Sequence, residues 1–443
     1  MNVRQQVGIC GAFDLENFGD ILFPIIAEAE LRERLGPIEL HKYSYHQKST
    51  PEWPFQITSL TELPAIAYQL DGMILGGGDL IRFDQHIVPG YFPPSPALPH
   101  PTGFWLTPIL IAAQAGCSVI WNAPGVYLEI PRWAEPLVEL AIHLSSYVNV
   151  RNHTSRLALL PFAGNTEIHV VPDSVFGIEK LVSTEKPSEA YLHLRESIGL
   201  RKPYIVVQAT SGLNRFIDLT EKHPHIFADY QLLILPIGPI LGDHVSIFND
   251  CLPEAVRLTE QPNPLVTAEL IGHASAVIGS SLHIGITALA FGVPVFRPGK
   301  TFNGKYAILA DYNTVYTFDY IAEIDPDWFA AKLGKAAPSA LVKETLQQLS
   351  KHWDRVANIL TNEGKNADNV ETLGNFWQSM PGLLKTWSDR YESAVQEYDS
   401  LRAEYQAFQA ERKAIYNSNS WKITAPLRSI STMLKKFNPN KKG

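Results

Sequence analysis

The chain has 443 residues, a length that predicts two to three domains. Hydrophobic residues make up 45% of it and charged residues 19%, which excludes a disordered chain and provides for sizeable apolar cores. The formal net charge of −8 argues against a protein that binds nucleic acid through its overall charge.

Up to about residue 180, short apolar strands alternate with helical patterns. Strands are predicted at 7–13, 71–77, 117–125, 147–152 and 168–173, and helices at 17–36, 107–116 and 133–146. Gly36 marks the end of the first helix, because glycine readily follows a helix C-terminus. Strands that alternate with helices are joined by right-handed crossovers, so this part predicts a parallel sheet.

The same alternation restarts after a polar segment near residues 180–200. Strands are predicted at 202–212, 230–239, 276–281 and 293–299, with a helix at 282–292. We therefore predict an α/β fold of two doubly wound, Rossmann-like domains, 1–185 and 186–340. The crevice beyond the carboxyl ends of such strands is the expected ligand site.

Residues 341–415 are predicted to form a helical region whose second part carries coiled-coil heptads. A sustained 3-4 spacing is typical of a coiled coil, and Arg412 is its one polar exception. One interpretation is a homo-oligomer that assembles through this stripe; the other is a single helix that packs on the globular body. The stripe consists of Leu384, Trp387, Tyr391, Ala394, Tyr398, Leu401, Tyr405, Phe408 and Ile415.

Residues 416–443 are predicted to form a basic amphipathic tail. Its last part, 421–443, holds six basic residues and no acidic one. An amphipathic helix that starts near Pro426 and lies on an anionic membrane surface is one interpretation, and a solvated tail is the other. The apolar residues of the tail are Trp421, Ile423, Leu427, Ile430, Leu434 and Phe437.

The compartment is predicted from cysteine usage and from the apolar segments. Cys10, Cys117 and Cys251 are too widely spaced for a disulfide framework or a zinc site, which suits a reducing cytoplasm. The N-terminus enters a strand pattern without an apolar core or cleavage site, so we expect no signal peptide. Apolar stretches end well short of the ~18 residues of a transmembrane helix. We also expect no metal ion.

Two glycine-containing motifs follow predicted strands. GAFDLENFGD (11–20) joins a strand to a helix, and helix N-termini bind anions, although Asn17 and Asp20 could simply cap the helix. The G-x-G-x-x-G dinucleotide pattern is absent. In GGGD (76–79), Gly77 and Gly78 could form a wall of the ligand crevice or only a tight turn.

Two further residues are candidates for binding and proton transfer. Arg151 stands at the carboxyl end of a strand, where a guanidinium can bind a carboxylate or phosphate; the alternative is a surface ion pair. His283 falls in the first turn of the helix at 282–292, where the positive helix end favours a neutral, basic imidazole. The alternative for His283 is a capping or other structural role.

Taken together, the motifs resemble those of the bacterial polysaccharide pyruvyl transferase family. The resemblance spans about residues 7–315 and rests on the order and spacing of the motifs. It implies two Rossmann-like domains that face a cleft, as in the two-domain glycosyltransferases. The motifs are NFGD (17–20), GGGD (76–79), VRNHTSR (150–156), VVPDSVF (170–176) and GSSLHIGITALAFGVPV (279–295).

The resemblance also implies roles for individual residues. His283 matches the catalytic histidine, Arg151 the strand-end arginine, and Asp173 the aspartate of a proline-aspartate turn. Lys305 approximates a lysine that follows the last strand. One departure matters, because many members have arginine where this chain has Ser281, so one contact to the donor is missing. Arg215, Arg297 and Lys300 are the candidates to replace it.

The implied reaction transfers the pyruvyl group of phosphoenolpyruvate to a sugar diol as a ketal, without a cofactor. The acceptor would be a surface polysaccharide or its lipid-linked precursor. NSNSWKITAPLR in the tail also resembles a segment at the ends of glycan-assembly enzymes, which are candidate partners beside the inner face of the plasma membrane. Two alternatives stay open: a nucleotide-sugar glycosyltransferase of the same architecture, and a non-catalytic assembly scaffold.

Overall fold

The structure is a computed structural model that describes residues 4–51, 53–84, 91, 98, 100–127, 129–334, 336–362 and 368–428. By its internal contacts the chain forms two compact units, Met1–Gly374 and Asn375–Gly443. The first unit holds both predicted α/β halves and also the helix that follows them.

The N-terminal half is built on a parallel sheet of five strands in the order β3-β2-β1-β4-β6. Two further parallel pairs, β5 with β7 and β8 with β9, extend this half. The strands are β1 (Gln5–Cys10), β2 (Ile38–Ser44), β3 (Thr58–Ser59), β4 (Gly72–Leu75), β5 (Gly78–Arg82), β6 (Ser118–Trp121), β7 (Pro124–Tyr127), β8 (Val148–Val150) and β9 (Ile168–Val170). The helices are α1 (Phe18–Leu35), α2 (Leu63–Ile66), α3 (Pro101–Gln114), α4 (Glu135–His143) and α5 (His153–Leu159).

The C-terminal half has a second parallel sheet, of six strands in the order β12-β11-β10-β13-β14-β15. Its strands are β10 (Tyr204–Gln208), β11 (Gln231–Leu235), β12 (Val256–Arg257), β13 (Ala276–Ile278), β14 (Val295–Pro298) and β15 (Val315–Phe318). Its helices are α6 (Glu189–Ser197), α7 (Asn214–Lys222), α8 (Pro264–Gly272), α9 (Leu282–Ala290) and α10 (Pro326–Ala330). The predicted pair of doubly wound α/β domains is confirmed.

The first helix shows how local sequence fixes an element. Asn17 occupies the N-cap of α1, and Gly36 follows its end with a φ of 77°, a conformation that glycine adopts without a Cβ clash. The Gly36 N–H donates to the carbonyl of Arg32, which closes the last turn. α1 therefore starts and ends within a residue of the prediction.

Helix α11 (Ala340–Asn362) returns from the C-terminal half to pack on the N-terminal half. Its buried face includes Trp353, whose side chain is fully enclosed. Arg34 of α1 donates to the Ser350 carbonyl and pairs with Asp354 at 2.8 Å. This return packing places α11 in the first compact unit.

The second compact unit is dominated by α12 (Asp368–Asn417), a single helix of 50 residues that begins just before the unit, followed by α13 (Asn419–Ile423). Ser418 caps α13 by accepting a hydrogen bond from the N–H of Trp421. The predicted tail residues Ile430, Leu434 and Phe437 lie outside the described residues, as do four of the six tail cations. Over the described ranges, no helix combines the length and apolarity that a bilayer crossing requires.

Candidate active site

A cavity of about 250 Å³ lies between the two halves, at the carboxyl ends of their strands. The N-terminal half lines it with loops that follow β1, β4 and β8, and the C-terminal half with α9 and neighbouring loops. This position agrees with the crevice expected for doubly wound sheets. Seven of the predicted site residues line it: Asn17, Asp20, Gly77, Gly78, Arg151, His283 and Lys305.

His283 sits in the first turn of α9 and is largely buried. Its Nε2 lies 3.5 Å from Oδ2 of Asp173, and its ring meets Phe23 edge-on at a centroid distance of 5.5 Å. Gly19 packs so closely that a Cβ at that position would lie 1.8 Å from Nδ1 of His283. The imidazole is therefore fixed between a carboxylate, an aromatic edge and the backbone of α1.

Asp173 is buried behind the cavity rather than in its wall. Its Oδ1 accepts the N–H of Val175 and caps a short 3₁₀ helix, Ser174–Lys180, while Oδ2 faces Arg151 and His283. Burial alone would raise the pKa of Asp173, but the attraction of the nearby His283 and Arg151, with the hydrogen bond from the Val175 N–H, holds it below its ordinary value. Asp173 is thus ionised at neutral pH and orients the histidine.

A chain of alternating charges runs along the cavity. Arg151 binds Asp79 through Nη2, and its Nη1 lies 3.6 Å from Oδ2 of Asp173. On the other side of Asp79, Nζ of Lys305 approaches Oδ2 at 3.9 Å. The Arg151 side chain is enclosed, so it organises two carboxylates, whereas the half-exposed Lys305 ammonium keeps only a long contact and can bind an incoming anion.

Asp20 is the carboxyl group that faces the cavity from α1. Its Oδ2 accepts a hydrogen bond of 2.8 Å from the Asn17 amide, so neither side chain caps the helix as the alternative reading proposed. Burial raises the pKa of Asp20 to about 6, and Asp79 adds to the rise, against His283, Lys305 and Arg151. Asp20 therefore exchanges its proton near neutral pH.

Gly78 allows the backbone of the GGGD motif to approach the Asp20 carboxyl group closely. Its φ of 89° lies in the region that favours glycine, and a Cβ there would come within 3.0 Å of Oδ1 of Asp20. The GGGD motif thus forms part of the cavity wall and also starts strand β5, which carries Asp79.

Ser281 is not among the described residues that line the cavity. It is the N-cap of α9, and its N–H and that of Ser280 both donate to Oε1 of Gln208, at 2.8 and 2.9 Å. The N–H groups of Ser280 and Ser281, which lead into α9, are therefore already satisfied within the protein.

The candidate replacements for the missing arginine are also held elsewhere in the described structure. Arg215 pairs with Asp218, and Lys300 pairs with Asp319. Arg297 stacks on Tyr306 with its guanidinium 3.9 Å from the ring centroid. These three residues are not part of the described cavity lining.

Arg82 is a cavity cation that sequence reasoning missed. It follows GGGD by three residues on β5, pairs with both carboxylate oxygens of Asp84, and lies 4.2 Å above the ring of Tyr127. Asp79, also missed, stands in the quoted GGGD motif. Recognising that this motif begins a strand would have pointed to both.

Within the described ranges, no three His, Cys, Asp or Glu side chains cluster as metal ligands. Cys10, Cys117 and Cys251, all within the described ranges, form no disulfide bond.

Solved structures show what fold this arrangement belongs to. UDP-GlcNAc 2-epimerase from Methanocaldococcus jannaschii is 14% identical, with a TM-score of 0.50, over 81% of this chain and 99% of that one. The Neisseria meningitidis UDP-GlcNAc 2-epimerase bound to UDP-GlcNAc is 14% identical (TM-score 0.44, 84% and 100% covered). A glycosyltransferase from Rickettsia africae ESF-5 is 13% identical (TM-score 0.44, 87% and 100% covered). The fold is the two-domain, glycosyltransferase B-like arrangement in which two Rossmann-like domains face a cleft.

The family follows from a separate sequence comparison. The sequence model described as "Polysaccharide pyruvyl transferase" matches residues 17–297, well over half of the chain. The chain therefore belongs to the polysaccharide pyruvyl transferase family and is a transferase. A search of curated proteins finds no match.

Replacing Asp20 by Asn should change how stability depends on pH. The folded protein holds the Asp20 pKa at about 6, above that of the unfolded chain, so the native state loses stability as the pH rises from about 4 through about 6 and stays less stable above it. At pH 8, Asp20→Asn should be more stable than wild type by about 1–3 kcal/mol, and the difference should vanish below about pH 4.

Denaturant unfolding of both proteins at pH 4, 6 and 8 measures this. Asn can still accept the hydrogen bond from Asn17, so that contact is matched between the two proteins. A stability difference that does not change between pH 4 and pH 8 would contradict the raised pKa.

Proposed function

We propose that this protein transfers the pyruvyl group of phosphoenolpyruvate to a pair of sugar hydroxyls, forming a cyclic ketal and releasing phosphate. The acceptor is a surface polysaccharide or its lipid-linked precursor. One observation carries the proposal: His283, Asp20, Arg151 and Lys305, which come from both halves, line a single small cavity. Membership of the family supports the same reaction.

The donor carries a carboxylate and a phosphate, and both need cations. Lys305 and Arg82 are the partly exposed cations of the cavity, and the enclosed Arg151 offsets the charge of Asp79 and Asp173 behind them. We assign to Arg82 the donor contact that Ser281 cannot make, because Arg82 lines the cavity and a guanidinium that pairs with Asp84 through Nε and Nη2 carries further N–H groups for an anion.

The reaction moves two protons, and the site holds two groups that can carry them. In the first addition, one sugar oxygen bonds to C2 of the donor, its hydroxyl proton leaves to a base, and the double-bond electrons take a proton at C3. In the second step, the C2–O bond to phosphate breaks with its electron pair, the phosphate takes a proton, and the second oxygen bonds to C2 and loses its proton. An acid and a base that exchange roles between the two steps return to their starting states.

His283 and Asp20 fit these two exchanging roles. Both face the same cavity, and His283 lies close enough to Asp20 for its charge to lower the pKa of Asp20. Proton transfer is most efficient when the pKa of the group lies near the working pH, which the raised pKa of Asp20 satisfies. Asp173 positions the imidazole.

We propose that the reaction takes place in the cytoplasm, at the inner face of the membrane. The basic tail would hold the enzyme at an anionic leaflet, where a lipid-linked acceptor is found, and each cation near such a surface contributes on the order of 1 kcal/mol. Other glycan-assembly enzymes are the alternative partners of the tail. The proposal includes no cofactor and no metal ion.

A nucleotide-sugar glycosyltransferase is the competing assignment. It would require a carboxylate near the start of α9 to hold the donor ribose, and α9 reads LHIGITALA, without an acidic residue. The third reading, a non-catalytic scaffold, rests on Ser281 alone.

Purified full-length protein should release phosphate from phosphoenolpyruvate only when a saccharide with neighbouring hydroxyls is present. The product should show a pyruvyl methyl signal by NMR, because C3 of the donor gains a proton. His283→Ala should abolish both signals while phosphoenolpyruvate still raises the melting temperature. Stabilisation by nucleotide sugars but not by phosphoenolpyruvate would favour the glycosyltransferase, and stabilisation by neither would favour the scaffold.

Gly19→Ala should reproduce the loss of His283. The new Cβ would lie 1.8 Å from Nδ1 of His283 and must displace the imidazole, whereas alanine itself favours the helix. Turnover should fall about tenfold or more, while circular dichroism of the variant stays that of the wild type. Gly103→Ala in α3 is the matched control, since its Cβ would meet only ordinary contacts from 3.7 Å outward. Turnover of Gly19→Ala equal to that of Gly103→Ala would show that the contact between Gly19 and His283 does not matter for the reaction.

Arg82→Gln should weaken donor binding about fivefold to tenfold, because a charge-assisted contact to the anion is lost. Arg215→Gln serves as the control, since Arg215 pairs with Asp218 away from the described cavity lining. Calorimetric titration with phosphoenolpyruvate measures both affinities. Equal affinities in wild type and Arg82→Gln would remove Arg82 from the donor site.

A further inference from the structure

The stripe on α12 is a row of exposed apolar side chains within the described part of the chain. Tyr391, Tyr398, Leu401 and Tyr405 are each more than 60% exposed, although they are large and apolar. From Leu384 to Ile415 the stripe runs for about 46 Å along one side of the helix. A helix of this kind is stable in water mainly when such a stripe packs on something.

The positions of the stripe follow heptads in which Tyr391, Tyr398 and Tyr405 occupy a, and Leu401 and Phe408 occupy d. The opposite side of the helix is polar or small, with Asp389, Gln396, Ala403 and Ala410 at f. The apolar seam is therefore narrow, which fits a facing helix better than a broad protein surface.

We infer that α12 forms a parallel, in-register, two-stranded coiled coil with α12 of a second copy of this chain. The inference is independent of the donor and of the reaction proposed above.

Charge complementarity identifies the occupant and its orientation. In a parallel pair, a g residue faces the e residue of the next heptad on the partner, which sets Glu397 against Arg402 of the second copy, twice by symmetry. Over the helix from Arg390 to Tyr416, none of the g–e pairs brings like charges together in that arrangement. In an antiparallel pair, g residues face one another. With full overlap, Arg390 would then face Glu411, but Glu397 would face Glu404 twice, which brings like charges together.

Arg412 fixes the register. It occupies an a position, and polar residues at a cost stability but specify alignment. In register, each Arg412 lies beside the partner's preceding g position, Glu411, which offsets the repulsion between the two guanidinium groups. A shift by one heptad would instead bury Arg412 against an apolar layer.

A matched pair of substitutions tests the interface in the full-length protein. Ala394→Asp places a charge at d, and Ala403→Asp places the same charge at f of the same helix. Light scattering should give twice the chain mass of 49.4 kDa for wild type and Ala403→Asp. Ala394→Asp should weaken dimerisation about tenfold or more, because it buries an unpaired charge, while its circular dichroism stays helical. A wild-type monomer, or equal dimerisation of the two variants, would overturn the inference.

Charge reversal tests the orientation. Glu397→Arg and Arg402→Glu should each weaken the dimer, because each sets like charges together, and the double variant should restore it. Single reversals without effect, or a double variant that fails to recover, would overturn the parallel pairing.

Disulfide trapping tests the register. In a Cys251→Ser background, Leu401→Cys and Ile415→Cys should each cross-link to the same position of the second copy, while Ala403→Cys should not. An antiparallel pair can be centred on only one of these sites, so cross-linking at one d position alone would overturn the inference.

Discussion

The Asp173 carboxylate is the constraint on which the rest of the active site depends. One of its oxygens caps the 3₁₀ helix Ser174–Lys180, and the other faces Arg151 and His283. That 3₁₀ helix packs on α1 and on α9, so the segment that carries the carboxylate also contacts both halves. A buried charge of this kind is tolerated only with cations around it, and the cations it requires are the groups that line the cavity. The same side chain, Asp173, therefore caps the 3₁₀ helix and holds Arg151 and His283 at the cavity.

The charges in the cavity are closely balanced rather than uniformly positive. Arg151 is shared by two carboxylates, and Lys305 keeps a long contact with one of them. An anionic donor must compete with Asp79 for these cations, so its binding exchanges ion-pair partners instead of filling an empty positive pocket. The raised pKa of Asp20 has the same origin, because the cavity holds more acidic groups than its cations can fully stabilise.

Much of the fold was predictable because buried parallel strands are short apolar runs and their helices end at glycine. The long α12 was predicted for a similar reason, from its regular spacing. Strand β2 (IELHKYS) was missed, because His41 and Lys42 interrupt its apolar pattern although it pairs with β1 along its length. Most site residues could be found because each follows a strand end. Two features could not be predicted from the sequence. The place of Arg82 depends on a strand, β5, that begins within the glycine motif. The absence of Ser281 from the described lining depends on Gln208, distant in sequence, which accepts a hydrogen bond from the Ser281 N–H.

The contact between His283 and Asp173 has a mechanical consequence. The histidine belongs to the C-terminal half, and its carboxylate partner and Gly19 belong to the N-terminal half. Any hinge rotation that widens the cleft must separate these groups together, which leaves the imidazole without its orienting charge. In the proposed reaction, an arrangement open enough to admit a glycan would therefore lack a positioned His283, and proton transfer would require the two halves to come together. Domain closure and acid–base competence would then be a single event.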